Sequence, residues 1–458
     1  MYQIDFNIPS HIYFCGIGGI SMSGLAEILL ERGFRVSGSD MKASQLTERL
    51  SRAGARIYIG QRAENITPDI DCVVFTSAIH KDNPEYMEAA RLNLATLSRA
   101  ELLGQLMKNY SCPIAVSGTH GKTTTTSMIS EIMMAAGTDP TLSIGGMLDS
   151  IGGNIRIGKG PYFVAEACEY TNSFLSMYPK VALILNIEED HLDFFKDLED
   201  IRRSFRLFAQ KVPADGLLII NGDIENYGQL TRGLPCRVCT FGTAASNDYY
   251  PLAISSLGER GMTARIMTPQ GEADLALHIP GKHNIYNAMA ALAAADALKT
   301  DRKVSLNALR DFEGSRRRFE YKGKFNGVTV IDDYAHHPTE ITSTLTAAAD
   351  CPHNRLWCVF QPHTYSRTKA LMEDFARALA KADVVVLSDI YPARETDNLG
   401  ISSADLQQKI SALGTECYYL PDFESIEKFL AKKCILQDML ITMGAGDIVK
   451  VGEALVQA

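Results

Sequence analysis

One stretch decides the fold of this chain: residues 112–124, which read CPIAVSGTHGKTT. The apolar run 113–117 predicts a buried parallel strand, and residues 118–124 predict a glycine turn that opens a helix with an apolar face. Such a unit binds phosphate, because backbone N–H groups and the helix dipole meet the anion, a lysine reaches the outer phosphates and a hydroxyl binds Mg²⁺. Val116 stands where the usual P-loop has glycine, which indicates a shorter loop. We therefore predict a nucleotide-binding site at Lys122 and Thr123.

Length, composition and charge limit the class of protein. The 458 residues suggest about three domains, and 46% hydrophobic with 22% charged residues is an ordinary globular balance. The net charge of -9 argues against nonspecific binding to nucleic acid or to an anionic membrane surface. We therefore expect no nucleic-acid partner, and we expect local positive groups to meet the phosphates of a nucleotide.

The cysteines and the amino-terminal residues bear on the compartment. The ten cysteines are scattered and lie mostly in apolar runs, which is typical of buried, reduced thiols. Cys236 and Cys239 form a single Cys-x-x-Cys, and no second pair follows at a zinc-site spacing. Residues 1–10 lack the basic start and apolar core of a signal peptide, and no apolar run reaches about 18 residues, the length that spans a membrane. We expect a cytoplasmic protein without membrane insertion.

The first hundred residues predict a βαβ unit of the Rossmann type. A strand at 11–15 leads into the glycines of 16–19, a helix follows from about Ser21, and a second strand ends at Asp40. A dinucleotide fingerprint would have glycine at position 21, so the signal for NAD is weak and another diphosphate at this turn stays open. A further strand at 72–79 ends in small residues beside which a ligand could lie.

Two strands in the middle of the chain end in acidic and histidine residues. Strand 162–166 ends at Glu166, and strand 181–185 is followed by NIEEDHLD at 186–193. Because the carboxyl ends of parallel strands form the ligand-binding edge of a sheet, these groups suit Mg²⁺ ligation. The alternative is that residues 188–193 form a solvated acidic turn.

Two polar segments further on each have two interpretations. GKHNIYN at 281–287 precedes an alanine-rich helix, and its amide groups could bind a base edge or cap the helix. The three arginines of RRRFE at 316–320 could be a solvated run or a clamp on phosphate.

The last third of the chain repeats the pattern of strands followed by polar residues. These strands alternate with helical stretches, which indicates a third, doubly wound domain over residues 319–458. The predicted strands lie at 328–331, 356–360, 384–387 and 439–442.

Taken together, these motifs resemble the Mur ligases of bacterial cell-wall synthesis, most closely the members that join L-alanine to UDP-N-acetylmuramate. The match extends over nearly the whole chain, and its order makes chance negligible. One departure lies at 166–173, where EACEYTNS replaces a more acidic EADE-type string and leaves the role of the residues after Glu166 open. The strings that carry the resemblance are GIGGISMSG at 16–24, GSD at 38–40, GTHGKTTTT at 118–126, DHLD at 190–193, GKHNIYNAMAA at 281–291, RRRFE at 316–320, DDYAHHPTE at 332–340, FQPHTYSRT at 360–368 and GAGD at 444–447.

The resemblance implies an α/β fold with three domains. Residues 1–110 would be a Rossmann-like domain that binds the UDP-substrate, and residues 111–318 a central P-loop domain that binds ATP. Residues 319–458 would be a dinucleotide-fold domain that binds the amino acid.

The resemblance also implies the reaction, its cofactors and its partners. The lactyl carboxylate of UDP-N-acetylmuramate would attack the γ-phosphate of ATP, and the amine of L-alanine would displace phosphate from the acyl phosphate, with ATP and Mg²⁺ required. Such a reaction serves peptidoglycan precursor synthesis. The chain would act as a monomer or homodimer.

The same resemblance assigns the nucleotide-binding residues. Lys122 would bridge the β- and γ-phosphates and Thr123 would hold Mg²⁺, while Glu166 and His191 would bind a second Mg²⁺. Adenine would lie against three residues near the start of the alanine-rich helix, and two further residues would reach ATP from the hinge and the third domain. The implied ATP-binding residues are Gly118, Thr119, His120, Gly121, Lys122, Thr123, Thr124, His283, Asn284, Asn287, Arg318 and Asp332.

The resemblance also assigns binding residues to the other two substrates. The UDP-substrate would be bound by Gly16, Gly18, Gly19, Ser39, Asp40 and Ser77. The amino acid would be bound by Tyr334, His363 and Arg367, with Arg367 on its carboxylate. The implied catalytic residues are Lys122, Glu166, His191 and Arg367.

Two other functions remain open from the sequence. One is a recycling ligase of the same superfamily that adds a whole L-Ala-γ-D-Glu-diaminopimelate tripeptide to the same UDP-sugar. The other is a nucleotide-binding dehydrogenase or regulatory switch built on the amino-terminal glycines, against which Ser21 argues.

Overall fold

The amino-terminal part of the chain folds as a five-stranded parallel sheet with the strand order β3-β2-β1-β4-β5. The structure is a computed structural model and describes residues 2–76, 78–393 and 395–457. The predicted strand at 72–79 is shorter than expected and ends at Phe75, while Ser77 lies outside the described residues. The elements are β1 (His11–Cys15), α1 (Ile20–Glu31), β2 (Arg35–Asp40), α2 (Gln45–Arg52), β3 (Arg56–Ile59), β4 (Cys72–Phe75), α3 (Pro84–Arg91), β5 (Ala95–Ser98) and α4 (Arg99–Met107).

The central part is built on a seven-stranded sheet with the order β12-β11-β10-β6-β9-β7-β8. Strand β6, the predicted P-loop strand, lies inside this sheet, parallel to β10 on one side and β9 on the other. The elements are β6 (Cys112–Ser117), α5 (Lys122–Ala135), β7 (Thr141–Leu148), β8 (Gly153–Arg156), β9 (Tyr162–Glu166), β10 (Val181–Ile184), α6 (Leu198–Ala209), β11 (Leu217–Asn221), α7 (Tyr227–Thr231), β12 (Arg237–Phe241), an antiparallel trio β13 (Tyr250–Ser256), β14 (Met262–Thr268) and β15 (Gly271–Leu277), and helices α8 (Lys282–Ala297) and α9 (Arg302–Arg310).

The carboxyl-terminal part is a six-stranded sheet with the order β16-β17-β21-β18-β19-β20. Only β16, at its edge, is antiparallel to its neighbour. The elements are β16 (Glu320–Phe325), β17 (Val328–Asp333), α10 (Pro338–Ala349), β18 (Leu356–Phe360), α11 (Tyr365–Ala370), α12 (Met372–Leu379), β19 (Val384–Leu387), α13 (Ser403–Ala412), β20 (Glu416–Tyr419), α14 (Phe423–Lys433), β21 (Met439–Met443) and α15 (Val449–Gln457).

The predicted α/β fold class is confirmed by these sheets. Apart from the antiparallel trio β13–β15, the sheets are parallel in their interiors and have central strands buried on both faces, so these strands are continuous apolar runs such as Val384–Leu387. The domain boundaries after residues 110 and 318 stay predictions. All ten cysteines are free thiols, including Cys236 and Cys239. Among the described residues, none of the helices has both the length and the apolar character that a bilayer crossing requires.

Packing joins the amino-terminal sheet firmly to the central sheet. One apolar core runs from Ile12 in β1 to Phe205 in α6 without interruption. Gly104 in α4 lies so close to the backbone of Ser176 that a Cβ there would be 1.8 Å from the carbonyl oxygen, so only glycine fits. The two sheets therefore share one continuous apolar core.

The carboxyl-terminal part meets the central sheet through polar contacts. Thr339 Oγ1 donates to a carboxylate oxygen of Glu188 over 2.7 Å, and a ring nitrogen of His337 lies 3.1 Å from the carbonyl oxygen of Glu189. These contacts place the segment after β17 against the segment that follows β10. Polar interfaces of this kind are typical of domains that move relative to one another.

Candidate functional site

The P-loop has the geometry of an anion cradle. Gly118 and Gly121 have φ of 144° and 81°, values at which a side chain would strain the backbone. Gly121 is the N-cap of α5, and no side chain caps that helix. The first N–H groups of α5 therefore remain available to a phosphate, as the sequence predicts.

The lysine of the cradle is held by a carboxylate that sequence reasoning missed. Lys122 Nζ donates to the carbonyl oxygen of Thr119 over 3.1 Å and lies 2.9 Å from Glu169. Burial lowers the pKa of Lys122, but Glu169 and the other acidic groups nearby together raise it more, so the ammonium stays charged. Glu169 is 2% exposed and lies in the segment whose role the sequence left open. A signal was present, since a second acidic residue follows Glu166 within EACE.

Three of the predicted site residues offer atoms that suit a hard cation. The Glu166 carboxylate at the end of β9 accepts the N–H of Gly145 and a hydrogen bond from Thr123, and burial raises its pKa. His191 Nε2 lies 3.8 Å from Glu169, and burial lowers the pKa of His191, which leaves a neutral ring with a free lone pair near pH 7. A hydroxyl, a carboxylate and a neutral imidazole fit Mg²⁺.

A cavity of about 230 Å³ opens beside the cradle, between the central and carboxyl-terminal sheets. Asn284 lies within α8, which begins at Lys282, and donates to the carbonyl oxygen of Pro280 over 2.7 Å. The N-cap of α8 is Gly281, which has no side chain to cap the helix, and this argues against the capping interpretation of this segment. The predicted ATP-binding residues that line the cavity are His120, Gly121, Thr124, His283, Asn284, Asn287 and Arg318.

The structure separates the three neighbouring arginines. Arg316 pairs with Asp149 at the surface, and Arg317 Nε donates to the buried Asp332 over 2.9 Å. Arg318 lines the cavity, 3.7 Å from Glu340. The run is therefore neither a solvated stretch nor a single clamp, because successive side chains take different neighbours.

The two aspartates at the end of β17 have different surroundings. Asp332 is fully buried, also accepts a hydrogen bond from Thr442 over 2.7 Å, and is not among the cavity-lining residues. Asp333, which the sequence did not single out, lines the cavity, and burial raises its pKa to about 6. Of the two, only Asp333 faces the predicted ATP position.

His120 joins the P-loop to the carboxyl-terminal part. Its ring nitrogens lie 3.3 Å from Glu340 and 3.4 Å from Glu188. Burial lowers the pKa of His120, but the two carboxylates raise it more, to about 9. Nitrogen and oxygen atoms of His120, Glu188 and His337 lie within 4.8 Å of one another and could also hold a metal ion. Sequence reasoning missed His337 and Glu340, and it treated Glu188 only as one of the acidic groups of 188–193, because the cluster unites three separate segments.

A second cavity of about 640 Å³ brings His191 together with His363 and Arg367. Arg367 donates to Asp190 over 3.1 Å, and this guanidinium holds the pKa of Asp190 well below its usual range although burial opposes that shift. Burial lowers the pKa of His363 to about 4, so its ring is neutral at pH 7. The paired, buried state of Asp190 argues against a solvated acidic turn there.

Tyr334 lies apart from this second cavity. It is not among the lining residues, and its ring instead lies under Arg317 and Arg318, at 4.9 and 5.4 Å from their guanidinium carbons. The ring of His336, 5.4 Å away, separates it from His363. The structure thus brings two of the three predicted amino-acid-binding residues together.

The amino-terminal glycine turn is closed by its own acidic residue. Gly18 N–H donates to Asp40 over 2.8 Å, and Gly16 N–H donates to the carbonyl oxygen of Ser39 over 2.9 Å. The Ser39 hydroxyl is fully buried and donates to Glu85 over 2.7 Å, so it faces the core. Gly19 is the N-cap of α1 and has no side chain to cap that helix, so a ligand at this turn would meet the start of the helix.

Comparison with known proteins assigns all three parts of the chain to one family. Residues 11–111 match a model described as the Mur ligase family catalytic domain. Residues 116–295 match the Mur ligase middle domain, and residues 317–446 match the glutamate ligase domain of Mur ligases.

Whole proteins give the same result. A UDP-N-acetylmuramate–L-alanine ligase of Lachnospira eligens is 59% identical over 100% of both chains, and one of Agathobacter rectalis is 55% identical over the same extent. The crystal structure of the UDP-N-acetylmuramate-alanine ligase of Thermotoga maritima is similar with a TM-score of 0.80, 30% identity and 98% coverage of both chains. A murein peptide ligase of Psychrobacter arcticus gives a TM-score of 0.72 at 26% identity, also over 98% of both chains.

The resemblance inferred from the motifs is therefore confirmed, and the dehydrogenase and switch alternatives are excluded. The individual site residues stay predictions, supported by the positions described above. By its three matched domains and its full-length relatives, this chain belongs to the Mur ligase family.

Proposed function

We propose that this enzyme joins L-alanine to the lactyl carboxylate of UDP-N-acetylmuramate at the expense of ATP, as a step of peptidoglycan precursor synthesis in the cytoplasm. The observation that carries the proposal is the cavity where His191, from the central sheet, meets His363 and Arg367, from the carboxyl-terminal sheet. An acyl donor and the amine of an amino acid can meet there. The names of the full-length relatives support the same reaction.

ATP would bind with its phosphates on the P-loop and its adenine in the smaller cavity. The uncapped start of α5 and Lys122 would neutralise the charge that develops on the transferred phosphoryl group. Glu169 holds the charged Lys122 beside the turn. When ATP binds, Lys122 would exchange this contact for one with phosphate. Asn284 and Asn287 would present amide groups to adenine.

Mg²⁺, when bound, would supply positive charge to the phosphate oxygens. Thr123 would hold one Mg²⁺, and Glu166 with His191 would hold a second, since their donor atoms fit a hard cation. The N–H of Gly145 orients the Glu166 carboxylate, and burial keeps the His191 ring neutral.

The carboxylate of UDP-N-acetylmuramate would attack the γ-phosphate in line, which releases ADP and forms an acyl phosphate. The amine of L-alanine would then attack the acyl carbon and displace phosphate. Arg367 offers a planar fork that matches the α-carboxylate of alanine, and its present partner Asp190 occupies that position. The protein contributes positioning and charge neutralisation rather than a covalent intermediate of its own.

ADP release by the purified enzyme tests this proposal. We expect release only when UDP-N-acetylmuramate is present, with amide product only when L-alanine is added. Glycine should be a poor substrate and not a dead one, since a single methyl group provides about 1–3 kcal/mol of discrimination. ADP release that is independent of UDP-N-acetylmuramate would overturn the proposal.

The tripeptide-adding ligase is the rival within the family, and a murein peptide ligase is among the similar structures. Competition between L-alanine and the L-Ala-γ-D-Glu-diaminopimelate tripeptide separates the two functions. A higher kcat/KM for the tripeptide would assign the recycling function. The oligomeric state, monomer or homodimer, stays a prediction.

A further inference from the structure

Tyr170 belongs to the segment after β9 whose role the sequence left open. It begins a short helical turn, Tyr170–Ser176, in which Thr171 and Asn172 have φ of 53° and 58°. Such left-handed values are unfavourable for residues other than glycine, and a folded protein retains them where surrounding contacts fix the backbone. The Asn172 side chain accepts such a contact, a hydrogen bond from Ser204 in α6. The backbone that carries Tyr170 is therefore held in a defined conformation.

The ring of Tyr170 lies on the ring of His191. The two ring centroids are 4.4 Å apart and the ring planes differ by 28°, which is a stacked arrangement. The Tyr170 hydroxyl also donates to Asp193 over 2.7 Å, and Asp193 follows the histidine in the same segment. One side chain thus holds both the ring plane of His191 and the segment that carries this ring.

The carboxylates near the His191 ring do not fix its orientation. Nε2 of His191 lies 3.6 Å from Asp190 and 3.8 Å from Glu169, and both distances exceed that of a hydrogen bond. Histidines that bind metals usually have their other ring nitrogen hydrogen-bonded, which fixes the orientation of the ring. The Tyr170 stack can fix the orientation in another way, through the face of the ring.

The orientation of this ring decides where its lone pair points. Nε2 of His191 is on the side of Glu169, which pairs with the P-loop lysine, so the stacked ring directs this nitrogen toward the phosphate cradle. A rotation of the imidazole about its bond to Cβ would move Nε2 away from that position. The ligands of a cation must be held to within about 0.5 Å and 10–20° of their productive geometry, so such a rotation would weaken the site.

We propose that Tyr170 is a positioning residue of the second Mg²⁺ site, where it fixes the plane of the His191 ring so that Nε2 faces the cation. The inference rests on the proposed function, because the metal site is taken from there. It also gives a role to a residue of the 166–173 segment, in which the chain departs from the more acidic family string. Loss of a group that orients a metal ligand typically lowers metal affinity about 10–100-fold.

Titration with Mn²⁺, followed by the electron paramagnetic resonance signal of the free ion, tests the proposal. The full-length enzyme is titrated with UDP-N-acetylmuramate and a nonhydrolysable ATP analogue bound. The natural protein should bind two ions, and His191→Ala should identify the ion that this histidine holds. Tyr170→Leu should weaken binding of that same ion about tenfold and leave the other ion unchanged.

Tyr170→Phe is the matched control for the ring. It retains the stacked ring and loses only the hydrogen bond to Asp193, so its affinity for both ions should stay within about threefold of that of the natural protein.

Turnover as a function of Mg²⁺ concentration separates positioning from a structural defect. The Mg²⁺ concentration that Tyr170→Leu requires should rise about tenfold, and excess Mg²⁺ should restore its kcat. A disturbed fold would instead lower kcat at every Mg²⁺ concentration. Tyr170 also lines the amino-acid cavity, so the KM for L-alanine is measured at saturating Mg²⁺. A raised alanine KM with unchanged Mn²⁺ affinity would assign Tyr170 to the amino acid and overturn the proposal.

Unchanged affinity for both ions in Tyr170→Leu would also overturn it. If that variant fails to fold, Tyr170→Met decides, because a flexible thioether side chain fills the space without a planar face. Should the natural protein bind only one Mn²⁺, the proposed metal site itself fails, and this outcome is distinct from an intact second site that Tyr170 does not affect.

Discussion

The molecule contains two strand–glycine turn–helix units that differ in the source of their positive charge. At the P-loop, Lys122 follows Gly121 directly and lies over the turn. At the amino-terminal turn, Ile20 begins the helix with 64% of its surface exposed, and no cation follows within the first turn. A guanidinium reaches Ser21 there from Arg99, some eighty residues further along the chain.

The difference shows that similar backbone units can obtain their charged groups from different parts of the chain. In the P-loop the charge is part of the motif, and tertiary structure adds its counter-charge, Glu169. In the amino-terminal turn the motif supplies its own counter-charge, Asp40 on the Gly18 N–H, and tertiary structure adds the cation. The following four experiments test this comparison, beginning with the largest expected effect.

Removal of the P-loop cation should cause the largest loss. Lys122→Met should lower kcat by about 10²–10³-fold, because charge on the transferred phosphoryl group is no longer neutralised. It should also lower the free energy of unfolding by about 3 kcal/mol, since Glu169 would remain buried without a partner. ADP release and denaturant unfolding measure the two effects.

A double variant separates the two roles of that lysine. Lys122→Met combined with Glu169→Gln should recover most of the stability and none of the turnover. Near-normal turnover in a folded Lys122→Met enzyme would contradict the cradle assignment.

The P-loop, unlike the amino-terminal turn, is tied to the carboxyl-terminal part through a charged histidine. The pKa of His120 is raised to about 9 in the folded chain, against 6.5 in the unfolded one. The bound proton therefore stabilises the folded state fully below pH 6.5, and this stabilisation is lost as pH rises through 9. We expect a loss of about 2 kcal/mol over this range, measured by urea unfolding at a series of pH values.

His120→Gln is the control for the pH dependence. It should be less stable than the natural protein at pH 6.5 and should show a flatter profile up to pH 9. Parallel profiles of the two proteins would mean that Glu188 and Glu340 do not hold the proton.

A third experiment concerns the cation of the amino-acid cavity. Arg367→Lys should raise the KM for L-alanine about tenfold, because a point charge replaces the planar fork. The KM values for ATP and UDP-N-acetylmuramate should stay unchanged, and lysine can retain the ion pair with Asp190, so folding is preserved. Steady-state kinetics with each substrate varied in turn measures this, and an unchanged alanine KM would remove Arg367 from the amino-acid site.

The smallest effect is expected at the amino-terminal turn. A Cβ at Gly18 would lie 2.8 Å from Asp40 Oδ2 and 3.0 Å from Thr47 Cγ2, so the turn must shift slightly. Gly18→Ala should raise the KM for UDP-N-acetylmuramate about threefold and leave that for ATP unchanged. Gly228→Ala is the matched control, because a Cβ there meets nothing within 4 Å. An equal rise in both KM values of Gly18→Ala would show that the two turns are not independent.

Local patterns predicted the elements and the family. The strand–turn–helix around Lys122 occurs where the sequence placed it, as β6 and α5. The strand before Ser77 ends earlier than predicted, at Phe75, because an apolar run shows which residues are buried and not where hydrogen bonding to the next strand stops. The sequence singled out Asp332, whereas Asp333 lines the cavity, since adjacent strand residues point to opposite faces and only the packed sheets show which face is open.

The sequence by itself determined the α/β class, the phosphate-binding turn and the membership of the Mur ligases. It could do so because strand burial, glycine conformation and helix starts depend on residues close together in the chain. Only the tertiary structure decided that Glu169 pairs with Lys122, that His120 lies between Glu188 and Glu340, and that Arg99 has no acidic partner among the described residues. These are electrostatic contacts between distant segments, and their strength depends on distance and burial, which the order of residues does not contain.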